Sequence, residues 1–202
     1  MPYSNQKKGM LLAFTAIVFI TPDSLFIRLA SLESWNLIFY RGFIPFIVVL
    51  IGLLIIYKKK LVTEIINNGW HGLAYAGTFT ITNILFVISI ENTNVANTLI
   101  MIALAPMLSA IISLIFLKEN PDQKTWIAII ITTLAVVFIF YNALDVGDFL
   151  GNFLGLVCAT GLAVGAVIIR SAKKISLVPS AMLGKLMVAL RSEEHTSELQ
   201  SQ

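Results

Sequence analysis

Asp23 follows Pro22 inside an apolar run, and Arg41 interrupts the next one within Phe39-Tyr40-Arg41-Gly42-Phe43. A charge at membrane depth costs at least ~2.5 kcal/mol on insertion scales, so it faces a polar cavity or a partner. Asp23 stands about six residues, and Arg41 about five, from the ends of their runs. At 1.5 Å per residue each is some ~8–9 Å deep, which suits an ion pair. Two roles fit: a clamp between the first two helices, or a site that meets a solute or a proton. If the run ends elsewhere, Asp23 is interfacial. Pro22 lacks an N–H and should kink or break the helix just before the acid.

Hydroxyl and amide groups gather further along. Tyr75, Thr78, Thr82, Ser89 and Thr93 fall near one helical face, with Asn83 beside it. Such groups either bond their own backbone and a neighbouring helix or line a cavity. Pro106 stands in mid-run and should kink the fourth helix. With Ser109, Ala110 and Ser113 it makes a small face suited to close helix approach or to a wet wall. Gly151, Gly155, Ala159 and Ala163 recur every fourth residue, as a packing stripe does.

Enzyme signatures are absent from the sequence: no HExxH, no phosphate-binding glycine loop, no G-x-S-x-G elbow. His71 is the only histidine before the last twelve residues and Cys158 the only cysteine, so neither a metal cluster nor a disulfide framework is expected. No cofactor is expected.

The elements that must carry these residues follow from composition. Of 202 residues 57% are hydrophobic and 12% charged, with mean hydropathy +0.87. Soluble domains carry about 25% charged residues, so the solvent is lipid. Apolar runs at roughly 10–29, 36–57, 72–90, 95–117, 125–141 and 151–169 suit helices crossing a hydrocarbon core of about 30 Å. A seventh starts near Pro179 and stops at Leu190, too short to cross. Lys7, Lys8, Lys58, Lys59, Lys60, Lys118, Lys124, Arg170, Lys173 and Lys174 fall in alternate loops, and Glu33, Glu91, Asp145 and Asp148 in the others. That asymmetry predicts a cytoplasmic N-terminus. The basic excess is spread over short loops, so no nucleic acid is expected as a partner. Gly9 and Ile27-Arg28 recur at one offset as Gly151 and Ile169-Arg170, a hint of a repeat. Five spans per repeat would invert the second copy, a plan common among secondary transporters.

Three segments resemble the EamA family of the drug/metabolite transporter superfamily: PDSLFIR at 22–28, the FYRG ending at Gly42, and ANTLIMIALAPMLSAIISLIFLKE at 96–119. The resemblance covers roughly residues 9–190. It implies an all-α polytopic membrane protein, an EamA-type bundle of ten helices in two inverted repeats, carrying small solutes through a shared cavity. This chain would supply six complete transmembrane helices and part of a seventh. The first repeat would span 9–141, a linker 142–150, and the start of the second repeat 151–190. The expected function is transport of an amino-acid-like or drug-like metabolite across the cell inner membrane, with a channel or non-transporting assembly subunit as the alternative. Its partners would be the lipid bilayer and a small-molecule substrate; the sequence permits a homodimer without requiring one.

The last stretch, Arg191 to Gln202, reads RSEEHTSELQSQ and contains no apolar residue except Leu199. A nucleotide string encoding its first eleven residues, RSEEHTSELQS, resembles a widely used sequencing-library adapter. The expectation is a foreign tail at 191–202 on a fragment that does not transport by itself.

Overall fold

In lipid every backbone donor must be satisfied inside the chain, which leaves helix as the conformation open to apolar runs of this length. The computed structural model describes residues 3–20, 23–29, 32–140, 149–172 and 175–200, and among these there is no strand. The helices are α1 (Tyr3–Ile20), α2 (Asp23–Leu29), α3 (Ser34–Tyr57), α4 (Leu61–Asn67), α5 (Gly69–Asn92), α6 (Val95–Ala103), α7 (Ala105–Ile112), α8 (Gln123–Phe140), α9 (Phe149–Ser171) and α10 (Val178–Gln200). A turn of 3-10 helix at Lys58–Lys60 joins α3 to α4, and a π-helical turn at Ser113–Leu117 extends α7.

Two compact units result, Met1–Leu32 and Glu33–Gln202. The first contains α1 and α2; within it Thr15 donates to the Leu11 carbonyl at 2.9 Å.

Four helical stretches are long and apolar enough to cross a membrane: Ser34–Asn67, Gly69–Asn92, Val95–Leu117 and Phe149–Ser171. They account for four of the six spans expected from sequence. In the run at 10–29 the described residues belong to α1 up to Ile20 and to α2 from Asp23, and 125–141 yields the shorter apolar stretch Gln123–Phe138. Nearly all of the expected linker 142–150 lies outside the described residues. Outward-facing side chains on α3 and α8, among them Ile44, Val48, Ile55, Ile131, Leu134 and Phe138, are more than half exposed. Contiguous apolar surface of this kind is stable against lipid and not against water.

The seventh apolar run stops at Leu190, but the helix does not. Helix α10 continues to Gln200, through the polar segment expected to be foreign. Glutamate, leucine and glutamine are good helix formers, and Arg191 pairs with Glu194 one turn on at 3.1 Å. The Ser192 hydroxyl donates to the Trp35 carbonyl at the start of α3.

Helix α5 is the hub of the second unit, with α9 on one side and α3 and α10 on the other. Small residues allow the close approach to α9. A Cβ at Gly151 would lie 2.5 Å from the Asn92 carbonyl, and one at Gly161 2.5 Å from the Thr82 hydroxyl. Ser89, fully buried, donates to the Gly151 carbonyl at 2.8 Å and lies 2.8 Å from the Thr98 hydroxyl. Helix α3 runs antiparallel to α5, since Ser34 at its start bonds Glu91 at the end of α5. Asn68, just before α5, donates to Ser180 at 2.9 Å and to the Ser176 carbonyl at 3.1 Å, pinning the start of α10 beside the start of α5.

Candidate functional site

The face of α5 that meets α10 and α3 carries Phe79, Asn83 and Phe86 at helical spacing, so they lie one above another. Lys185 projects from α10 onto this stripe. Its Nζ donates to Asn83 Oδ1 at 2.6 Å and sits 5.2 Å from the centre of the Phe79 ring. One turn further along, the Arg41 guanidinium lies 5.4 Å from the Phe86 ring. Tyr75 stacks obliquely on Phe79, with ring centres 5.8 Å apart. Asn83 is about 14 Å along the axis from the Asn92 end of α5, well inside the apolar span. The result is a ladder of two cations on two aromatic faces, with an amide holding one of them.

Local sequence explains how the helices come this close. Gly42 follows Arg41, and a Cβ there would lie 2.8 Å from the Lys185 carbonyl and 2.7 Å from the Ala189 nitrogen. Gly184 precedes Lys185, and a Cβ there would meet the Ala76 carbonyl and the Phe79 ring at 3.0 Å. Thr80 donates to the Gly184 carbonyl at 3.1 Å, which fixes the register of α10 on α5. Pro45 lies inside α3 and cannot donate to the carbonyl four residues back, that of Arg41. A cation–π contact contributes about 0.5–2 kcal/mol. With the Asn83 hydrogen bond it offsets much of the cost of placing the Lys185 charge here.

A second polar feature lies at the other end of the fourth run. A cavity of about 510 Å³ is lined by Pro106, Ser109, Ala110 and Ser113, by the loop Glu119–Asp122, by Thr125 and Ile129, and by Arg170. Arg170, in the last turn of α9, pairs with Glu119 just beyond the π-helical turn. The run is interrupted at Leu104, whose N–H donates to Met101 at 3.1 Å, and Pro106 sits in the first turn of α7, where it needs no donor. Asp122 accepts hydrogen bonds from the Thr125 hydroxyl and, at 2.9 Å, from the Thr125 N–H. These bonds, the hydroxyl's first, hold its carboxyl below the usual aspartate value.

The residues expected from sequence are therefore distributed. Asn83 and Arg41 enter the cation ladder, and Tyr75 adjoins it. Thr82 sits in the α5–α9 contact: it bonds the Thr78 carbonyl at 2.7 Å, faces Gly161, and its own carbonyl accepts from Cys158 at 3.5 Å. Thr78 bonds back to the Ala74 carbonyl at 2.8 Å. Pro22 lies outside the described residues. Asp23 opens α2 in the first unit, whereas Arg41 belongs to the second. Sequence reasoning missed Lys185, although it is the only charge between Pro179 and Leu190. It also missed the pairing of Glu119 with Arg170, which are remote in sequence. Among the described residues no group of three or more His, Cys, Asp or Glu is placed to hold a metal ion.

Residues 7–141 match the family model of the EamA-like transporter family. A search of curated proteins and a search of solved structures each found no match.

Proposed function

Because the chain belongs to the EamA-like transporter family, a family of membrane carriers and not of enzymes, we propose that it carries a small solute or metabolite by alternating access. The solute, amino-acid-like or drug-like, meets the ladder of Lys185, Asn83, Phe79, Arg41 and Phe86. The observation that carries this reading is the Lys185–Asn83 bond between α10 and α5. An ionisable group among membrane-spanning helices marks a solute or ion pathway by default. The kinked fourth run supplies a second wall, since its small face lines the polar cavity.

In this reading the N-terminus is cytoplasmic, and six helices plus part of a seventh belong to a bundle of ten in the cell inner membrane. Residues 9–141 form the first repeat, and α9 opens the second. The Glu119–Arg170 pair then joins the two repeats. An exposed ion pair contributes only about 0–1 kcal/mol, so a rocking motion can break it at little cost. Pro106 supplies a bend in the fourth run.

Counterflow tests the carrier mechanism. Vesicles holding the complete protein and preloaded with unlabelled solute should accumulate labelled solute transiently. A channel would equilibrate it without overshoot, and a non-transporting assembly subunit would take up none.

A further inference from the structure

The connection between α3 and α5 has a basic end and two apolar faces. Helix α3 has 24 residues and is about 36 Å long, enough to cross a hydrocarbon core of about 30 Å. Lys58, with φ 50°, ends it, and α5 returns antiparallel from Gly69. Residues 58–68 therefore lie at one face of the membrane. They begin with Lys58, Lys59 and Lys60, all exposed, and the chain from Ser34 to Thr63 contains no Asp or Glu. Among the described residues none of these three lysines forms an ion pair. Glu64, half-buried in the first turn of α4, is the nearest acid in sequence and leaves the connection positive, three charges against one.

Helix α4 is apolar on two sides. Leu61 and Ile65 pack into the cluster formed with Leu53 of α3 and Met182 of α10. Val62 and Ile66, also one turn apart, lie outside that cluster and are 66% and 71% exposed. An apolar face left open beside a protein-covered one is stable where lipid covers it. Trp70, at the start of α5, is 77% exposed, as suits an aromatic residue at the membrane–water boundary. The buried Asn68 fixes the end of α4 to the start of α10 through Ser176 and Ser180, so the surface is preformed. A neutral lipid would cover the apolar side chains and leave three ammonium groups without a counter-charge. Anionic headgroups attract basic segments beside a spanning helix, and lysine stems reach toward them along apolar surface.

We infer that this connection docks an anionic phospholipid, with Lys58, Lys59 and Lys60 at the headgroup phosphate and the acyl chains over Val62 and Ile66. The docking needs a chain that spans a membrane and is independent of the solute carried.

The test uses residues 1–202 in vesicles and reads tryptophan fluorescence. The chain has three tryptophans, so Trp35→Phe with Trp126→Phe leaves Trp70 as the reporter. Brominated phosphatidylglycerol and brominated phosphatidylcholine are each introduced into phosphatidylcholine vesicles, and quenching gives their relative binding constants beside Trp70. The anionic lipid should be preferred by about 5-fold. Lys58→Gln, Lys59→Gln and Lys60→Gln together should bring the ratio near unity, and arginine at the same three positions should preserve it. Lys118→Gln with Lys124→Gln removes two exposed lysines that stand close to Glu119 and Asp122 in sequence, and should leave the ratio unchanged. Inorganic phosphate at matched ionic strength should not compete. Unshifted Trp70 emission in bromine-free vesicles checks that each variant keeps its fold.

Equal quenching by the two lipids with all lysines in place would overturn the inference. So would a preference that survives the three glutamine substitutions. A preference lowered as far by Lys118→Gln with Lys124→Gln would belong to basic charge at large and not to this connection. Displacement by inorganic phosphate would reveal a free-anion site and overturn the lipid as its occupant.

Discussion

A charged side chain between apolar helices is only as stable as the groups that solvate it. Lys185 has the Asn83 carbonyl oxygen and the Phe79 face, so Asn83→Leu should destabilise the protein by about 1–3 kcal/mol, the cost of removing a partner from a half-buried charge. Denaturation of the two proteins in the same detergent measures it. Asp122 presents the same physics outside the membrane. Its carboxyl is held below the ordinary 3.8 by the Thr125 hydroxyl and then the Thr125 N–H. The unfolded chain therefore binds more protons in the window below 3.8, and stability rises with pH there. The contribution is complete above the unfolded value and is lost as pH falls through the lower folded-state value. Asp122→Asn should thus lower the unfolding temperature at about pH 6 and make progressively less difference toward about pH 3. A constant difference across that range would show that charge is not what the cap uses.

At the scale of elements, glycines decide which helices touch. Replacing Gly42 by valine would force side-chain atoms into the backbone of α10, where even a Cβ falls 2.7 Å from the Ala189 nitrogen. Backbone cannot move aside as a side-chain tip can. The expected cost is about 1–3 kcal/mol of overpacking, together with loss of whatever the Arg41–Lys185 ladder binds. Gly9→Val is the contrast, since a Cβ there meets nothing within 4 Å. Unfolding temperatures of the two variants should differ clearly, with Gly9→Val near wild type. The packing stripe on α9 was legible in advance because Gly151, Gly155, Ala159 and Ala163 share one face; all four are buried, with Gly151 against Asn92 and Gly155 against Ser89 of α5. The partner helix was not legible, since a small face fits any close neighbour.

At the scale of the whole molecule, the proposed mechanism encloses a solute between two inverted repeats and exposes it to each side in turn. Residues 1–202 alone should therefore show no uptake above empty vesicles, and reconstituted flux by this chain would refute the two-repeat mechanism proposed for it. Breaking the Glu119–Arg170 link should cost little stability but change accessibility of the adjoining cavity. In Glu119→Gln carrying Ser113→Cys, a permeant maleimide should modify the new cysteine faster than in Ser113→Cys alone. Equal rates would mean that the pair does not restrain the cavity.

Composition and run length by themselves determined a helical membrane protein, because lipid leaves the backbone only helices or closed barrels and apolar runs of about 20 residues fit the helix. They also located the breaks near Pro106 and the small-residue stripe of α9, since proline geometry and side-chain size act within a single helix. The family resemblance was likewise carried by local segments. Tertiary structure decided what each polar residue faces. Thr82 and Asn83 are adjacent in sequence, yet the 100° turn between them sends one to α9 and the other to Lys185. No local pattern distinguishes those outcomes, because helix α10 stands about a hundred residues away and its position depends on Gly42, Gly184 and Asn68 together. The cation ladder exists only once those three contacts have brought α3, α5 and α10 within reach of one another.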